Sequence, residues 1–151
     1  MIKNPKDIKE LTIKYGVIPP SNYIAITWFG IMHINKKNKE LWESYSDLYK
    51  NEVIRHETIH LKQAQKEGSW IKFYAKYLWY WIKAMFLCGF RNSIAYYCNP
   101  YEIEAYIHER DNEYNLTRFD VYQKIPIKQL VEIKKSSTST SSFKEMISHL
   151  Y

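Results

Sequence analysis

The sequence HETIH occupies residues 56–60 of this 151-residue chain, inside a segment of strong helical character. From about Asp47 to Glu67 there is no proline or glycine, apolar residues recur at helical spacing, and Gly68 is suited to end a helix. Because residues four apart project from one face of a helix, His56 and His60 can both reach one metal ion, about 2.0 to 2.1 Å from each nitrogen. The rest of the fold must then supply a third ligand and an apolar wall beneath this helix.

Glu57 follows the first histidine and lies about 100° around the helix from it. From there its carboxylate can take a proton from a metal-bound water instead of binding the metal itself. A chance match of five residues is disfavoured, because the motif lies inside a helical segment and not in a loop. We therefore predict a zinc (Zn²⁺) site with His56 and His60 as ligands and Glu57 as the general base.

A catalytic zinc site needs three protein ligands and one open position, so a third donor must come from elsewhere in the chain. The segment NPYEIEAY at residues 99–106 can supply it, because its Asn-Pro start is typical of a helix, which we expect to end near Asn115. HETIH followed by this segment resembles the gluzincins, zinc peptidases whose third ligand is a glutamate on a later helix, often within Glu-x-x-Ala-Asp. The resemblance covers about Asn51 to Asn115, and residues 102–106 match that pattern except that Tyr106 replaces the aspartate.

The resemblance implies a zinc-dependent metallopeptidase that hydrolyses peptide bonds of a peptide or protein substrate, with Glu57 as the base. It also implies Glu102 as the third ligand, from the Glu-x-x-Ala alignment. Glu104 stays the alternative, because the two glutamates point to nearly opposite sides of one helix and the apolar stripe between them does not decide. The change to Tyr106 removes a partner for a ligating histidine, so another acid has to take that place. The Tyr106 side chain is expected either to pack or to donate its hydroxyl to a developing oxyanion.

Signals for strands are found near the N-terminus. Residues 4–16 have an Asn-Pro start, apolar residues at helical spacing and a glycine stop, which predicts a first short helix. Tyr23–Phe29 has the β-branched and aromatic composition of a strand, and Ile31–Ile34 is its continuation or partner. With turn residues at 35–38, this region is predicted to form a small antiparallel hairpin or sheet, whose edge would pair with an extended substrate.

The remainder of the chain is predicted to be helical, which gives an α+β fold with strands early and helices late. Helices are expected from Trp70 toward Phe90 and from Pro126 to Lys135. Residues 136–142 are all serine or threonine, a composition typical of a flexible connector. We expect one minimal zincin-like domain over residues 1–135, and a Ser/Thr-rich connector and C-terminal tail over residues 136–151.

The segment from Trp70 to Phe90 is long and apolar enough to raise the question of a membrane span. Its lysines argue against spanning, because at 100° per residue they fall within an arc of about 40°, opposite a set of aromatic residues. We expect this amphipathic helix to pack its aromatic side onto the HETIH helix, and peripheral contact with a membrane surface is the alternative. Trp79 and Phe86 lie near the lysine side, where burial does not explain them.

Composition excludes some classes of function. The net charge of +6 comes mostly from lysines spread along the chain, without the compact basic run typical of nucleic-acid binding, so a nucleic-acid partner is not expected. Only Cys88 and Cys98 are present, which predicts reduced thiols and no disulfide framework. The first residues lack the apolar core of a signal peptide, so a cytoplasmic location is expected.

The second hypothesis is a non-catalytic zinc-binding domain with a structural or partner-binding role, including one at a membrane surface. A closed fourth position would identify such a domain, and Cys98 is close enough to Glu102 in sequence to complete the shell. The remaining histidines, His33, His108 and His149, are expected to be structural or exposed. His108 is the strongest substitute ligand, because it shares the helix that should supply the third donor.

Overall fold

The computed structural model describes residues 1–150, and over these residues the fold is α+β, as predicted. The strands and helices follow one another along the chain as β1 (Thr12–Gly16), β2 (Ala25–Trp28), β3 (Ile31–Asn35), α1 (Lys39–Ser44), α2 (Asp47–Glu67), α3 (Trp70–Leu87), α4 (Asn92–Ala95), α5 (Pro100–His108), α6 (Phe119–Lys124), α7 (Ile127–Ser136) and α8 (Thr140–Ser148). Single 3-10 turns precede β1 and α1, at Pro5–Asp7 and Lys36–Asn38.

The sheet is mixed, with β3 in the centre and the order β1-β3-β2. β2 and β3 form the antiparallel hairpin that composition predicted, joined by Phe29 and Gly30. Both linking residues have positive φ, 52° and 76°, as a type I′ hairpin turn requires. A Cβ on Gly30 would lie 2.9 Å from Cδ1 of Ile8, so glycine suits the position for space as well. β1 pairs parallel to β3, which the sequence did not indicate.

The predicted first helix over residues 4–16 is wrong. Asn4 and Pro5 begin only a single 3-10 turn, in which the Asn4 side chain accepts a hydrogen bond from the Lys6 backbone N–H at 3.0 Å. Residues 12–16 then join the sheet as β1, because pairing with β3 satisfies their backbone groups and outweighs the weak helical spacing of the segment. The turn residues at 35–38 likewise lead into α1 instead of closing a hairpin.

Capping residues begin and end the helices that carry the candidate site, and the sequence predicted two of them, Gly68 and Asn99. α2 begins after Ser46, whose Oγ accepts from the Tyr49 backbone N–H at 3.2 Å, and ends at Gly68 with φ of 85°. α5 begins after Asn99, whose Oδ1 accepts from the Tyr101 backbone N–H at 3.2 Å. It ends at His108, about two turns before the expected end near Asn115.

An aromatic core holds α2, α3 and α5 together. The buried members of this core come from these three helices, from the segment between α5 and α6, and from the first residue of α6: Ile59, Leu61, Ala64, Trp70, Phe73, Tyr101, Ala105, Tyr114, Leu116 and Phe119. α3 therefore packs its aromatic side onto α2, as expected. No helix within residues 1–150 combines the length and the apolarity needed to cross a bilayer.

The serine- and threonine-rich run departs from the flexible connector that its composition predicts. α7 continues through Ser136, and α8 begins after Ser139, whose Oγ accepts from the Ser142 backbone N–H at 3.1 Å. Serine here acts as a helix cap, which is its other common role. α8 then buries Phe143 and Ile147 in a second core with residues of α5 and α7.

This arrangement predicts that α8 contributes to the stability of the fold. Ile147 is fully buried, so Ile147→Ala should lower the free energy of unfolding by about 2 to 5 kcal/mol. Its neighbour Met146 is 37% exposed, and Met146→Ala should cost less than about 1 kcal/mol. Urea denaturation followed by circular dichroism measures both. Equal, small losses in the two variants would show that the tail is not part of the core.

Candidate metal centre

Three side chains from two helices converge at one buried point. The Nε2 atoms of His56 and His60 lie 3.2 Å apart, and Glu102 places one carboxylate oxygen 3.2 Å from the first and the other 3.4 Å from the second. His56 and His60 face the same way because they are one turn apart on α2, and Glu102 comes from the first turn of α5. The structure therefore brings together the two histidines and the glutamate that the resemblance implied as ligands.

The distances within this cluster suit a tetrahedral metal ion. Two ligand atoms about 2.0 to 2.1 Å from an ion, at the tetrahedral angle, lie about 3.3 to 3.4 Å from each other. The two Nε2 atoms lie 3.2 Å apart, and each faces a different oxygen of Glu102, at 3.2 Å for His56 and 3.4 Å for His60. The donor types, two imidazole nitrogens and a carboxylate oxygen, are also those that zinc takes. His56, His60 and Glu102 could therefore hold a metal ion.

Burial makes the charges of this cluster depend on one another. Burial alone would lower the pKa of His56, but hydrogen bonds to Glu102 and Glu109 outweigh it and raise the pKa to about 10. Burial lowers and the charge of Glu102 raises the pKa of His60, with a net upward shift. For Glu102 itself, burial would raise the pKa, but the two histidines hold it well below its usual range. The cluster thus favours positive charge at its centre, as a cation site does.

Each histidine is oriented by an acceptor on its other ring nitrogen. His56 Nδ1 lies 3.1 Å from Glu109 Oε2, and His60 Nδ1 lies 2.8 Å from Gln63 Oε1. An ionised carboxylate or an amide oxygen can only accept, so in both rings Nδ1 donates. Nε2 of both rings is thereby directed toward the centre of the cluster, which is the role of outer partners in metal sites.

Glu109, which follows the last residue of α5, places a carboxylate beside His56. Lys144 of α8 places Nζ 2.8 Å from Glu109 Oε1, while the other oxygen faces His56. Burial alone would raise the pKa of Glu109, but His56 and Lys144 lower it, so the carboxylate stays charged. Sequence reasoning missed Glu109. Its signal was a spacing of seven residues from Glu102, which is two helical turns on the same face.

Glu104 has a different set of partners. Gln63 donates Nε2 to Glu104 Oε2 at 2.7 Å, and Tyr114 donates its hydroxyl to Oε1 at 2.5 Å. Glu104 therefore supports Gln63, which in turn holds His60, and its carboxylate does not face the histidine Nε2 atoms. Burial raises its pKa. The structure places Glu102 with the two histidines and Glu104 behind them.

Tyr77 of α3 is a site residue that the sequence did not indicate. Its hydroxyl donates to Glu102 Oε1 at 2.6 Å, so the same oxygen faces both Tyr77 and His60. Burial and the charge of Glu102 raise the pKa of Tyr77, which keeps the hydroxyl protonated as a donor. α3 thus helps to fix the carboxylate, in addition to packing beneath α2.

A cleft opens beside the cluster. Its main cavity, of about 380 Å³, is lined by Glu57, His60 and Glu102, by β2, and by aromatic residues of α3. A smaller cavity of about 250 Å³ lies against His56, Tyr106 and Glu109, and Glu57 with Tyr96 borders both cavities. β2 is an edge strand, because the order of the sheet places β3 between it and β1. The cleft therefore has a sheet edge on one side and the cluster with Glu57 on the other.

Tyr106 packs against the cluster. Its ring centroid lies 4.5 Å from that of His56, in an edge-to-face contact, and Lys144 Nζ lies 5.0 Å from its centroid. Burial and the charge of Glu102 raise its pKa, so the hydroxyl is protonated. These contacts account for a packing role, and donation to an oxyanion stays a prediction.

The remaining histidines and the cysteines lie elsewhere. His108 stacks on Tyr114 with 3.6 Å between ring centroids, His33 is opposite Lys14 in the sheet, and His149 ends α8. Cys98 is fully buried in the core that includes α8, where burial raises its pKa to about 12. Within residues 1–150, the ligand cluster contains His56, His60 and Glu102 and no cysteine.

No family model matches the chain, and no curated protein or solved structure matches it. Its function must therefore be argued from the chemistry of the cluster and the cleft.

Two glutamates on one helix provide a direct test of the ligand set. Glu102→Gln should abolish stoichiometric zinc binding, because it removes the carboxylate that faces both histidines. Glu104→Gln should keep about one zinc per chain, because this carboxylate lies behind His60. Elemental analysis of dialysed protein measures both. Loss of zinc in Glu104→Gln, with retention in Glu102→Gln, would reverse the assignment.

The outer carboxylate should affect affinity and not stoichiometry. Glu109→Ala leaves the three ligands in place but frees the His56 ring, so zinc affinity should fall about 10- to 100-fold. Titration against a chromophoric chelator measures the change. Glu113→Ala, at an exposed position four residues later, is the matched control and should leave the affinity unchanged. If the two variants bind zinc alike, Glu109 does not orient the ligand.

Proposed function

We propose that the protein is a zinc-dependent peptidase with a zincin-like site, in which His56, His60 and Glu102 hold the ion and Glu57 is the general base. One observation supports this most: two histidines one turn apart and a glutamate from a later helix meet beside a cleft that Glu57 also lines. A structural zinc site has four protein ligands, whereas this cluster offers three within residues 1–150. The count of ligands favours a catalytic site over the non-catalytic alternative.

A zinc ion held by these residues would supply a Lewis acid that lowers the pKa of a water and polarises a carbonyl. The protein provides the rest. Glu57 is adjacent to a ligand in sequence but lies outside the ligand cluster, so its carboxylate is free to accept a proton from the attacking water. The same carboxylate can then return that proton to the leaving amine, as a general acid.

The cleft fits an extended peptide. The β2 segment from Ala25 to Trp28 lines the cavity, and the unpaired backbone groups of an edge strand can pair with a substrate backbone. Opposite the strand, the aromatic rings of Phe73, Tyr74 and Tyr77 form a wall suited to an apolar side chain.

The proposal predicts a separation of metal binding from hydrolysis. Glu57→Gln removes the base and leaves the three ligands, so zinc content should be unchanged while peptide cleavage falls at least about 100- to 10,000-fold. Mass spectrometry of a mixture of synthetic peptides, incubated with the zinc-loaded protein, measures cleavage. Glu43→Gln, at an exposed position on α1, is the control and should cleave like the wild type.

Two outcomes would contradict the peptidase function. One is a Glu57→Gln variant that cleaves at the rate of the wild type. The other is a zinc-loaded wild-type protein that cleaves none of the peptides, which would favour the non-catalytic hypothesis.

A further inference from the structure

α3 has a second apolar face that no other part of residues 1–150 covers. Its buried residues, Trp70, Phe73 and Ala84, point toward the interior. The opposite side exposes large apolar residues, here called the outer face, which consists of Ile71, Leu78, Trp79, Phe86 and, just beyond the helix end, Phe90. Exposed fractions of 83% for Ile71, 56% for Trp79 and 68% for Phe86 show that these side chains project into solvent. A patch of this kind on a protein surface usually marks a binding site.

The outer face is continuous along the helix. At 100° per residue, Ile71, Leu78, Trp79 and Phe86 fall within an arc of about 100°, on the side away from Phe73. Surface helices normally place polar residues on this side, and a helix that is apolar all round is normally buried. α3 is apolar on both sides, but only its inner side packs against the rest of the protein. The outer face is therefore suited to bind an apolar surface outside the protein.

Phe90 extends the outer face past the end of α3. Its backbone has φ of 61°, a left-handed conformation that glycine adopts readily and phenylalanine rarely does. The side chain is 65% exposed and packs edge-to-face on Phe86, with 5.2 Å between ring centroids. The left-handed backbone conformation disfavours phenylalanine at this position, and the side chain gains little from burial. The side chain therefore points to a role at the surface.

The charged residues of α3 and of the segment after it are all basic. From Gly68 to Tyr101 the sequence contains no aspartate or glutamate. Lys72, Lys76 and Lys83 lie along one border of the outer face, within the adjoining arc of about 40°, and Arg91 follows Phe90. Lys76 is paired with Glu67, and Lys83 Nζ lies 4.9 Å from the Trp79 ring centroid. This gives a strip of aromatic and aliphatic side chains with a cationic border.

We propose that the outer face of α3 docks the protein on an anionic lipid membrane, with the helix parallel to the bilayer surface. Tryptophan and phenylalanine insert at the level of the head groups, and flanking lysines contact anionic lipids, which is the pattern of an interfacial amphipathic helix. The inference goes beyond the proposed peptidase function and does not depend on it. Phe73 and Tyr77 line the cleft from the other side of α3, so docking would leave the cleft uncovered.

Co-sedimentation with lipid vesicles tests the docking surface. The full chain should bind vesicles of phosphatidylcholine with 30% phosphatidylglycerol at low salt, bind pure phosphatidylcholine vesicles less, and dissociate as salt rises. The double variant Trp79→Ser, Phe86→Ser should lose affinity at least about tenfold, because two apolar side chains no longer enter the interface. Leu48→Ser, which removes another exposed apolar side chain, from α2, is the control and should bind like the wild type.

The lysines allow an independent test on the same vesicles. Replacing Lys72 and Lys83 by glutamine should reduce affinity about fivefold for each lysine and make binding less sensitive to salt. The control replaces Lys36 and Lys37, which are exposed and lie outside α3, by glutamine. Equal losses in the two pairs would mean that net charge, and not this face, determines binding.

A further variant separates docking from folding. Phe90→Gly suits the left-handed backbone, so thermal stability should be kept or increased while vesicle affinity falls.

His60→Ala, which affects the metal centre, should leave vesicle binding unchanged, so failure of the peptidase function and failure of docking can be told apart. Docking is overturned if the wild type does not bind anionic vesicles at low salt. It is also overturned if sedimentation velocity shows a wild-type dimer that Trp79→Ser, Phe86→Ser converts to a monomer, because a second copy would then cover the face.

Discussion

A carboxylate buried between two imidazoles is the interaction on which the arrangement of the helices depends. Glu102 is almost fully buried, and removing its charge from water is costly unless partners replace the lost hydration. His56 and His60 of α2 provide two of these partners and Tyr77 of α3 the third. Because the partners come from different helices, Glu102 can be satisfied only when α2, α3 and α5 are all in place. The same charge that makes its burial costly makes the centre suited to a cation.

The partners behind the histidines extend this dependence to the C-terminal part of the chain. Glu109 accepts a hydrogen bond from His56 and forms an ion pair with Lys144 of α8. Through this pair, α8 helps to orient a candidate ligand. His60 is held by Gln63, and Gln63 by Glu104. The carboxylates of Glu104, on α5, and of Glu109, just after it, therefore have distinct structural roles. The burial of α8 in the second core fixes the helix that presents Lys144, so packing far from the cleft also bears on the metal centre.

Local sequence signals predicted those parts of the fold that local physics determines. The bounds of α2 were predicted from its final glycine and from the absence of helix breakers, and HETIH needs only helical geometry to bring two imidazoles together. β1 was missed because its conformation depends on pairing with β3, which lies about twenty residues later in the chain. Periodicity could not choose between Glu102 and Glu104, since the packing of α5 against α2 decides which side faces the histidines. Tyr77 was missed for the same reason, because a hydrogen bond between two helices leaves no pattern in the sequence. The spacing of Glu109 from Glu102 indicated a shared helix face, but only the packing of α5 against α2 places Glu109 beside His56.

α3 has an apolar inner side and an apolar outer face, which are normally found on different helices. Its inner side needs aromatic residues, because it closes the core under α2, lines the cleft and donates the Tyr77 hydroxyl to Glu102. The apolar residues of its outer face do not pack against other parts of the fold. On a helix that faces water, charged or polar residues are the usual occupants of such positions. Retaining lysines only along one border keeps the face attractive to an anionic, apolar surface and repels other cationic proteins. Because the two sides of one helix are rigidly connected, a surface that binds the outer face also sets the orientation of the cleft relative to that surface.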